Sequence, residues 1–342
     1  MSYQIQLQAD GQTFSANEDQ TVLDAALEAC VSVPYGCRAG VCGACKGKVV
    51  SGTVELAAHS AEVLPESAQA EGYTLLCCAR PKSDLVLDVP KMEQDPNKPQ
   101  KMPARVARLE RLTEDVMRVD LQLPASETFS FRAGQYIDIS IGDHEHRSFS
   151  IANSPEREGV IELHIRLVPG GKFTTHVFNG MKARDILRIK GPLGSFFLRE
   201  DSDKPIVLLA GGTGFAPLKG IVEHALHVGI KRPISLYWGS RTPTGFYMHG
   251  LAQSWQSALS GFRYIPVVSD SRPDDGWTGR RGMVHEAVLA DFADLSQHEV
   301  YACGAPAMID AARRAFTQER GLPEDAFFSD AFTFAAPPPP KD

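Results

Sequence analysis

Three cysteines stand close together in the stretch YGCRAGVCGACKGKV, residues 35–49. Cys37, Cys42 and Cys45 are separated by four and then two residues, and most of the intervening residues are Gly or Ala. The chain holds seven cysteines, six of them between positions 30 and 78. Such a concentration of thiols has four chemical explanations: a zinc ion, disulfides, a reactive redox pair, or an iron–sulfur cluster.

The surroundings of these thiols favour the iron–sulfur cluster. The N-terminus, MSYQIQLQADGQ, has no basic region followed by an apolar core, so we expect a reducing cytoplasmic location, where structural disulfides are rare. A zinc site would need a second knuckle from Cys77 and Cys78, and two adjacent side chains point in different directions. The spacing Cys-x4-Cys-x2-Cys with a distant fourth cysteine is the plant-type 2Fe–2S spacing. Gly40 and Gly43 allow backbone N–H groups to approach such an anionic cluster.

The charge of the chain is concentrated in its N-terminal part. Residues 1–90 hold 5 Lys and Arg against 11 Asp and Glu, a net charge of −6, whereas the whole chain has −7. This argues against nucleic acid and anionic membranes as partners and predicts docking on a basic protein surface, although acidity also serves solubility. No apolar run approaches the roughly 18 residues that a membrane helix needs.

The hydrophobic pattern divides the chain into successive modules of different architecture. The first mixes short strands with one helix, TVLDAALEA, capped by Thr21. Alternating strands separated by Gly and Pro turns then predict an antiparallel barrel, and apolar strands alternating with helical patterns predict a parallel sheet. The expected modules are a small α+β domain at 1–90, a linker at 91–103, a β-barrel at 104–202, an α/β domain at 203–334 and a disordered tail at 335–342.

The stretch HRSFSIAN, residues 146–153, carries the groups that a flavin dinucleotide needs. Arg147 offers a cation for the pyrophosphate, Phe149 an aromatic plane, and Ser150 a hydrogen-bonding group near N5. In an extended strand Arg147 and Phe149 share one face and Ser150 points across. An ordinary strand is the other reading of this stretch. Farther on, Gly170, Gly171 and Thr174 precede a short helical stretch whose exposed N–H groups can bind an anion.

A glycine turn follows a buried strand in PIVLLAGGTGFAPLKGIV, residues 205–222. Parallel sheets bind ligands at the carboxyl edge of their strands, where this turn lies. Its glycines allow a pyrophosphate to approach the backbone, and its threonine adds a hydroxyl. The candidate residues are Gly211, Gly212, Thr213 and Gly214. Cys303 ends a later strand; a nucleophilic role has no support, since no His or carboxylate adjoins it, and a buried thiol is the simple alternative.

These motifs resemble those of a known family. Segment 1–90 resembles plant-type ferredoxins, which implies a β-grasp fold. LLCCARP aligns with their fourth-ligand segment, so that Cys77 is the ligand and Cys78 a neighbour. We expect Cys30, on the helix, to be a buried small hydrophobe. RSFS resembles the Arg-x-Tyr-Ser motif of the ferredoxin–NAD(P)H reductase family, with Phe149 in place of Tyr. The resemblance implies Arg147, Phe149, Ser150, Gly170, Gly171 and Thr174 as FAD contacts, Ser240 and Arg241 as adenosine ribose contacts, Cys303 and Gly304 as the nicotinamide border, and Phe332 as the aromatic residue covering the flavin.

The same resemblance implies an iron–sulfur flavoprotein reductase. A hydride passes from NADH, or NADPH if Arg241 binds a 2′-phosphate, to FAD near Ser150, Cys303 and Phe332, and single electrons then reach a partner protein through the cluster. Within the family, the nearest likeness is to reductases that serve a dehydrase in deoxysugar synthesis, with the reductase components of aromatic-ring oxygenases as the alternative. Two other functions stay open: a free flavin or ferric reductase, and a redox sensor without enzymatic activity.

Overall fold

The computed structural model describes residues 1–90, 92, 97–142, 145–270, 272 and 275–332. The chain forms two compact units. One comprises Met1–Met92 with Ala305–Asp310 and Ser329–Asp342, and the other comprises Glu93–Gly304 with Ala311–Phe328. The expected linker at 91–103 lies partly outside the described residues, and its last four residues open a strand. The expected disordered tail at 335–342 lies wholly outside them.

The first unit is built on a small mixed sheet. Its elements are β1 (Ser2–Leu7), β2 (Thr13–Asn17), α1 (Val22–Glu28), β3 (Lys46–Ser51), β4 (Val54–Leu56), α2 (Glu66–Ala70), β5 (Tyr73–Leu75), β6 (Ala79–Pro81) and β7 (Leu85–Asp88). The sheet order is β2-β1-β7-β3-β5, with β1 and β7 parallel, and β4 and β6 form a separate ribbon. This is the predicted β-grasp arrangement, in which the loop between α1 and β3 carries three cysteines.

Helix α1 follows its sequence signals at the start but ends before Cys30. The Thr21 hydroxyl accepts a hydrogen bond from the Asp24 amide at 3.1 Å, as the N-cap prediction requires. The helix ends at Glu28 with Ala29 as its C-cap. Cys30 then adopts a positive φ of 58° and is exposed. The expectation that Cys30 is a buried hydrophobe on the helix is therefore wrong, because the helix ends before Cys30 and this residue lies in an exposed turn.

The second unit begins with an antiparallel, barrel-like sheet. Its elements are β8 (Gln100–Arg111), β9 (Val116–Gln122), β10 (Tyr136–Ser140), β11 (His146–Ser150), β12 (Val160–Arg166), α3 (Lys172–Asn179) and β13 (Ile186–Leu193). The strand order is β11-β10-β13-β8-β9-β12. Alternate side chains fill the interior, among them Val119, Ile137 and Leu163, all fully buried. The predicted antiparallel barrel is confirmed.

A parallel sheet covered by helices follows, and the first residues of its last helix and the last residues of its last strand belong to the first unit. The elements that follow the barrel along the chain are β14 (Ile206–Gly211), α4 (Phe215–Val228), β15 (Ile234–Ser240), α5 (His249–Ala258), β16 (Phe262–Val268), β17 (Arg280–Arg281), α6 (Val284–Asp291), β18 (Glu299–Gly304), α7 (Pro306–Arg320) and β19 (Phe327–Ala331). The parallel order is β17-β16-β15-β14-β18. The predicted α/β architecture is confirmed. Among the described residues, none of the helices combines the length and apolar character needed to cross a bilayer.

Candidate functional site

The cysteine loop of the first unit brings four thiols together as two pairs. Cys37 hydrogen bonds to Cys42, and the Sγ atoms of Cys45 and Cys77 lie 3.3 Å apart. Within the described residues, no group of three or more His, Cys, Asp or Glu side chains is arranged to hold a single metal ion. Two pairs of thiolates suit a cluster of two iron ions, each held by one pair, better than one tetrahedral ion.

Backbone N–H groups of the loop point at the sulfurs. The Ala39 amide donates to Cys37 Sγ at 3.4 Å, and the Ala44 amide donates to Cys42 Sγ at 3.5 Å. Gly40 and Gly43 adopt φ values of +71° and +74°, the left-handed conformation that turns these amides inward. Inward amides and paired sulfurs fit an anionic iron–sulfur cluster, which needs donors around its sulfur atoms.

The two adjacent cysteines have different surroundings. Hydrogen bonds from Cys45 and then Cys78 lower the pKa of the Cys77 thiol to about 3, and the thiolate is the form that ligates metal. Cys78 is buried, and its Sγ lies 3.6 Å from both the Ala58 carbonyl oxygen and Cys77 Sγ. A Cβ placed on Gly40 would lie 2.7 Å from Cys78 Sγ. Cys77 thus faces Cys45, the other member of its pair, whereas Cys78 packs under the loop.

Strand β11 carries the three candidate flavin residues as its alternation requires. Ser150 is buried, whereas Arg147 and Phe149 are half-buried on the opposite face. The Phe149 ring packs 5.5 Å from the Phe173 ring of α3, which fixes its position beside the barrel core. The Arg147 guanidinium donates to the His146 carbonyl oxygen at 2.8 Å and reaches outward. The three groups therefore lie along one strand, with a cation at its start and a hydroxyl at its end.

The residues expected at the second anion site form the turn before α3. Gly170 has a φ of +75°, and Gly171 is the N-cap of the helix without a side-chain cap. The Thr174 hydroxyl accepts from the Val168 amide at 3.1 Å and lies 3.2 Å from the Gly171 carbonyl oxygen. Thr174 thus shapes the turn, and the first amides of α3 have no side-chain cap.

The glycine turn lies at the carboxyl edge of the parallel sheet. Residues 212–214 form one tight turn between β14 and α4. A Cβ on Gly214 would lie 2.0 Å from the carbonyl oxygen of Cys303, at the end of the neighbouring strand β18. The register pairs Gly211 with Gly239, so Ser240 lies at the same edge. The structure therefore brings the candidate residues Gly211, Gly212, Thr213, Gly214, Ser240, Arg241, Cys303 and Gly304 to one edge of one sheet.

Three candidate residues are placed less simply. The Ser240 hydroxyl donates to the Thr242 carbonyl oxygen at 2.8 Å, whereas Arg241 is exposed. Phe332 directly follows β19 and belongs to the first unit. Its contact with a flavin held by the second unit stays a prediction.

A buried polar cluster beside these residues was missed at the level of sequence. The outward positions of β12, Glu162 and His164, are buried rather than solvated. The Oε2 atom of Glu162 lies 2.8 Å from a guanidinium nitrogen of both Arg118 and Arg157, and its Oε1 atom lies 2.9 Å from His164 Nε2. Burial raises the pKa of Glu162, but the hydrogen bond from His164 and the nearby cations outweigh it and lower the pKa to about 2.

Arg166, two residues along the same face, lies against the glycine turn. A Cβ on Gly212 would meet its Nη1 atom at 2.8 Å, and its Nε atom lies 3.2 Å from an Asp115 carboxylate oxygen. The sequence VIELHIRLV showed only that Glu, His and Arg alternate with apolar residues. The sequence pattern did not indicate that Glu162 and His164 on this outer face are buried.

Comparison with known proteins assigns a family to each part of the chain. The 2Fe-2S iron-sulfur cluster binding domain matches residues 5–82, the oxidoreductase FAD-binding domain matches residues 103–198, and the oxidoreductase NAD-binding domain matches residues 208–314. Their order agrees with the order of the modules described above.

Whole-length relatives share all three parts. A Yersinia pestis protein named CDP-6-deoxy-L-threo-D-glycero-4-hexulose-3-dehydrase reductase is 43% identical over 335 residues, which are 97% of this chain and 99% of that protein. The phenol hydroxylase P5 protein of Acinetobacter pittii is 37% identical over 331 residues, 95% of this chain and 93% of that one. The crystal structure of the Amycolatopsis cytochrome P450 reductase GcoB matches with a TM-score of 0.79 at 33% identity, covering 98% and 100% of the two chains.

Proposed function

Since the chain belongs to the family of flavoprotein reductases that join a 2Fe–2S domain to FAD-binding and NAD-binding domains, we propose that its electron acceptor is a deoxysugar dehydrase, as for a reductase of the CDP-6-deoxyglucoseen reductase type. The reaction class follows from the family: electrons pass from a nicotinamide nucleotide through FAD and the 2Fe–2S cluster. The observation that carries the partner proposal is the 43% identity to a dehydrase reductase over 97% of this chain and 99% of that protein.

In this proposal Cys37, Cys42, Cys45 and Cys77 hold the cluster. The two thiol pairs and the amides of Ala39 and Ala44 support this ligand set. The packing of Cys78 against Ala58 supports its role as a neighbour of the cluster and not as its ligand. The loop amides stabilise the negative charge of the site by hydrogen bonding to the sulfurs.

The barrel residues hold the flavin, and the sheet edge holds the nicotinamide nucleotide. Arg147 and the first amides of α3 bind phosphate oxygens, Phe149 packs on the ring system, and Ser150 donates toward it. Gly211–Gly214 and Arg166 bind the pyrophosphate of the nicotinamide nucleotide. Its adenosine ribose contacts Ser240 and Arg241, and its nicotinamide lies beside Cys303 and Gly304. When bound, FAD would supply the chemistry that converts a two-electron hydride from NADH into single electrons for the cluster, and the residues of this chain would orient these groups and exclude water.

Ser150→Ala should slow the reduction of bound FAD by NADH. Loss of one buried hydroxyl that contacts the reacting ring costs on the order of 10-fold or more in rate. Stopped-flow measurement of flavin bleaching gives the rate. Ser148→Ala, an exposed serine on the same face of β11, is the matched control and should reduce at the wild-type rate. An unchanged rate in Ser150→Ala would remove Ser150 from this role.

The partner proposal predicts which acceptor the purified protein serves. The acidic first 90 residues, with a net charge of −6, should dock on a basic surface of the acceptor. With NADH, the holoprotein should support turnover of a purified deoxysugar dehydrase, and this support should fall steeply as salt rises. Efficient coupling to an aromatic-ring oxygenase component, with none to the dehydrase, would contradict the proposal and favour the alternative suggested by the 37% identity to the phenol hydroxylase P5 protein.

A further inference from the structure

The outer face of β12 holds a buried carboxylate where a barrel strand normally faces water. The side chains of Glu162 and His164 are 1% and 0% exposed. Burying a charge is unfavourable unless every lone pair is matched by a donor. Glu162 meets that requirement with Arg118 and Arg157 on one oxygen and with His164 and Lys219 on the other. This dense pairing calls for a reason beyond barrel stability.

One set of contacts in the cluster links α4 to the end of β11, here called the flavin strand. Lys219 Nζ lies 3.2 Å from Glu162 Oε1 and donates to the Ala152 carbonyl oxygen at 3.1 Å. Ala152 is two residues beyond Ser150, and Lys219 is one helical turn beyond the glycine turn, because α4 begins at Phe215. Beside it the backbones are close, since a Cβ on Gly220 would lie 2.9 Å from the Asn153 carbonyl oxygen. Lys219 therefore fixes the spacing between the start of α4 and the segment after Ser150.

A second set of contacts runs from Glu162 to the glycine turn through aromatic rings. His164 Nδ1 lies 3.0 Å from the Tyr247 hydroxyl. The Tyr247 ring packs edge-on against Trp238, with ring centres 5.1 Å apart, and Trp238 Nε1 donates to the Gly212 carbonyl oxygen at 2.9 Å. Burial lowers the pKa of His164, so the neutral ring donates from Nε2 to Glu162 and accepts the Tyr247 proton at Nδ1. Each ring nitrogen of His164 then has one defined hydrogen-bonding role.

We propose that Glu162, His164, Lys219 and Tyr247, here called the Glu162 cluster, act as positioning residues that set the distance between the flavin strand and the glycine turn. Hydride transfer demands that the reacting rings be held within a few tenths of an ångström, and a misplacement of about 1 Å costs about 100-fold in rate. The cluster links the flavin strand to the glycine turn through the buried carboxylate of Glu162. The inference rests on the flavin role of Ser150 and the nucleotide role of Gly211–Gly214 in the proposed function.

The test is Lys219→Met in the full-length holoprotein, which keeps the length of the side chain and leaves Arg118 and Arg157 on Glu162. The limiting rate of flavin reduction by NADH should fall about 10-fold or more, together with the long-wavelength charge-transfer absorbance of the nicotinamide–flavin complex. The FAD content and the affinity for NAD⁺ should change by less than about 3-fold, because the binding residues stay in place. Lys231→Met, at an exposed lysine just beyond α4, is the matched control and should match the wild type in every measurement.

A second variant separates positioning from mere support of the fold. Tyr247→Phe keeps the ring packing and removes only the hydroxyl that faces His164, and it should lower the limiting rate and the charge-transfer absorbance in the same direction. Unchanged values in both variants would overturn the proposal, as would losses that vanish when rates are scaled to FAD-bound protein. If Lys219→Met does not fold, Tyr247→Phe decides alone. Failure of the wild type itself to bind NAD⁺ would instead count against the proposed nucleotide site.

Discussion

Cys42→Ser should abolish electron delivery through the cluster while leaving the flavin half of the protein active. Cys42 is buried, and its Sγ accepts from the amides of Cys37 and Ala44 at 3.5 Å each, so a replacement cannot be relieved by movement of the side chain. A serine hydroxyl is a harder and shorter ligand than the soft thiolate that iron–sulfur clusters use. NADH-dependent cytochrome c reduction should fall by about 100-fold or more, because loss of a direct ligand should cost at least as much as changes to outer-shell residues at metal sites, which cost about 10–100-fold.

Two measurements separate this outcome from general damage. Direct reduction of ferricyanide by the flavin, and flavin bleaching by NADH, should stay within about 2-fold of wild type, because the altered residue lies in a different module. Cys30→Ser is the matched control, since Cys30 is exposed and outside the thiol pairs, and it should retain cytochrome c reduction. If Cys42→Ser kept both its iron and its cytochrome c activity, the ligand set would be wrong.

The cysteine loop and the glycine turn could be predicted because their chemistry is local in sequence. Covalent connectivity sets both the ligand spacing from Cys37 to Cys45 and the strand–glycine–helix order at 206–215. Each motif therefore indicates its local structure and its binding site without any tertiary contact. The N-cap at Thr21 is predictable for the same reason, since its partner is three residues away. Such signals need only the backbone to adopt its ordinary conformations.

The Glu162 cluster could not be predicted, because alternation reports only that two faces of a strand differ. The residues Glu162, His164 and Arg166 alternate as solvent-facing positions of a barrel strand do. The side chains of Glu162 and His164 are buried by α4 and by the segment around Tyr247, whose contacting residues lie more than about 50 positions later in the chain. The same limit explains Cys30: the pattern of the helix did not reveal that residues 28–30 are exposed before the chain is buried again at Val31.

Gly214→Ala should nearly eliminate NADH-dependent flavin reduction. The φ of Gly214 is −58°, which any residue adopts, so backbone strain is not the reason for glycine here. The reason is space: an added Cβ would lie 2.0 Å from the Cys303 carbonyl oxygen and 3.0 Å from the Gly304 amide nitrogen. Both are backbone atoms that cannot rotate aside, so the turn and the end of β18 must separate. We expect a loss of about 100-fold in the rate of flavin reduction by NADH, and about 1–3 kcal/mol in the free energy of unfolding.

The same protein with a chemical reductant shows where the defect lies. Dithionite should reduce the flavin of Gly214→Ala as fast as that of the wild type, because it needs no nucleotide site. Gly250→Ala is the matched control. Among the described residues, no atom apart from the chain neighbours and the helix's own nearby backbone lies within 4 Å of the added Cβ in α5. The higher helix propensity of alanine should stabilise the protein by about 0.5–1 kcal/mol. If Gly214→Ala kept the wild-type rate with NADH, close contact between the glycine turn and the Cys303 strand end would not be what places the nicotinamide beside the flavin.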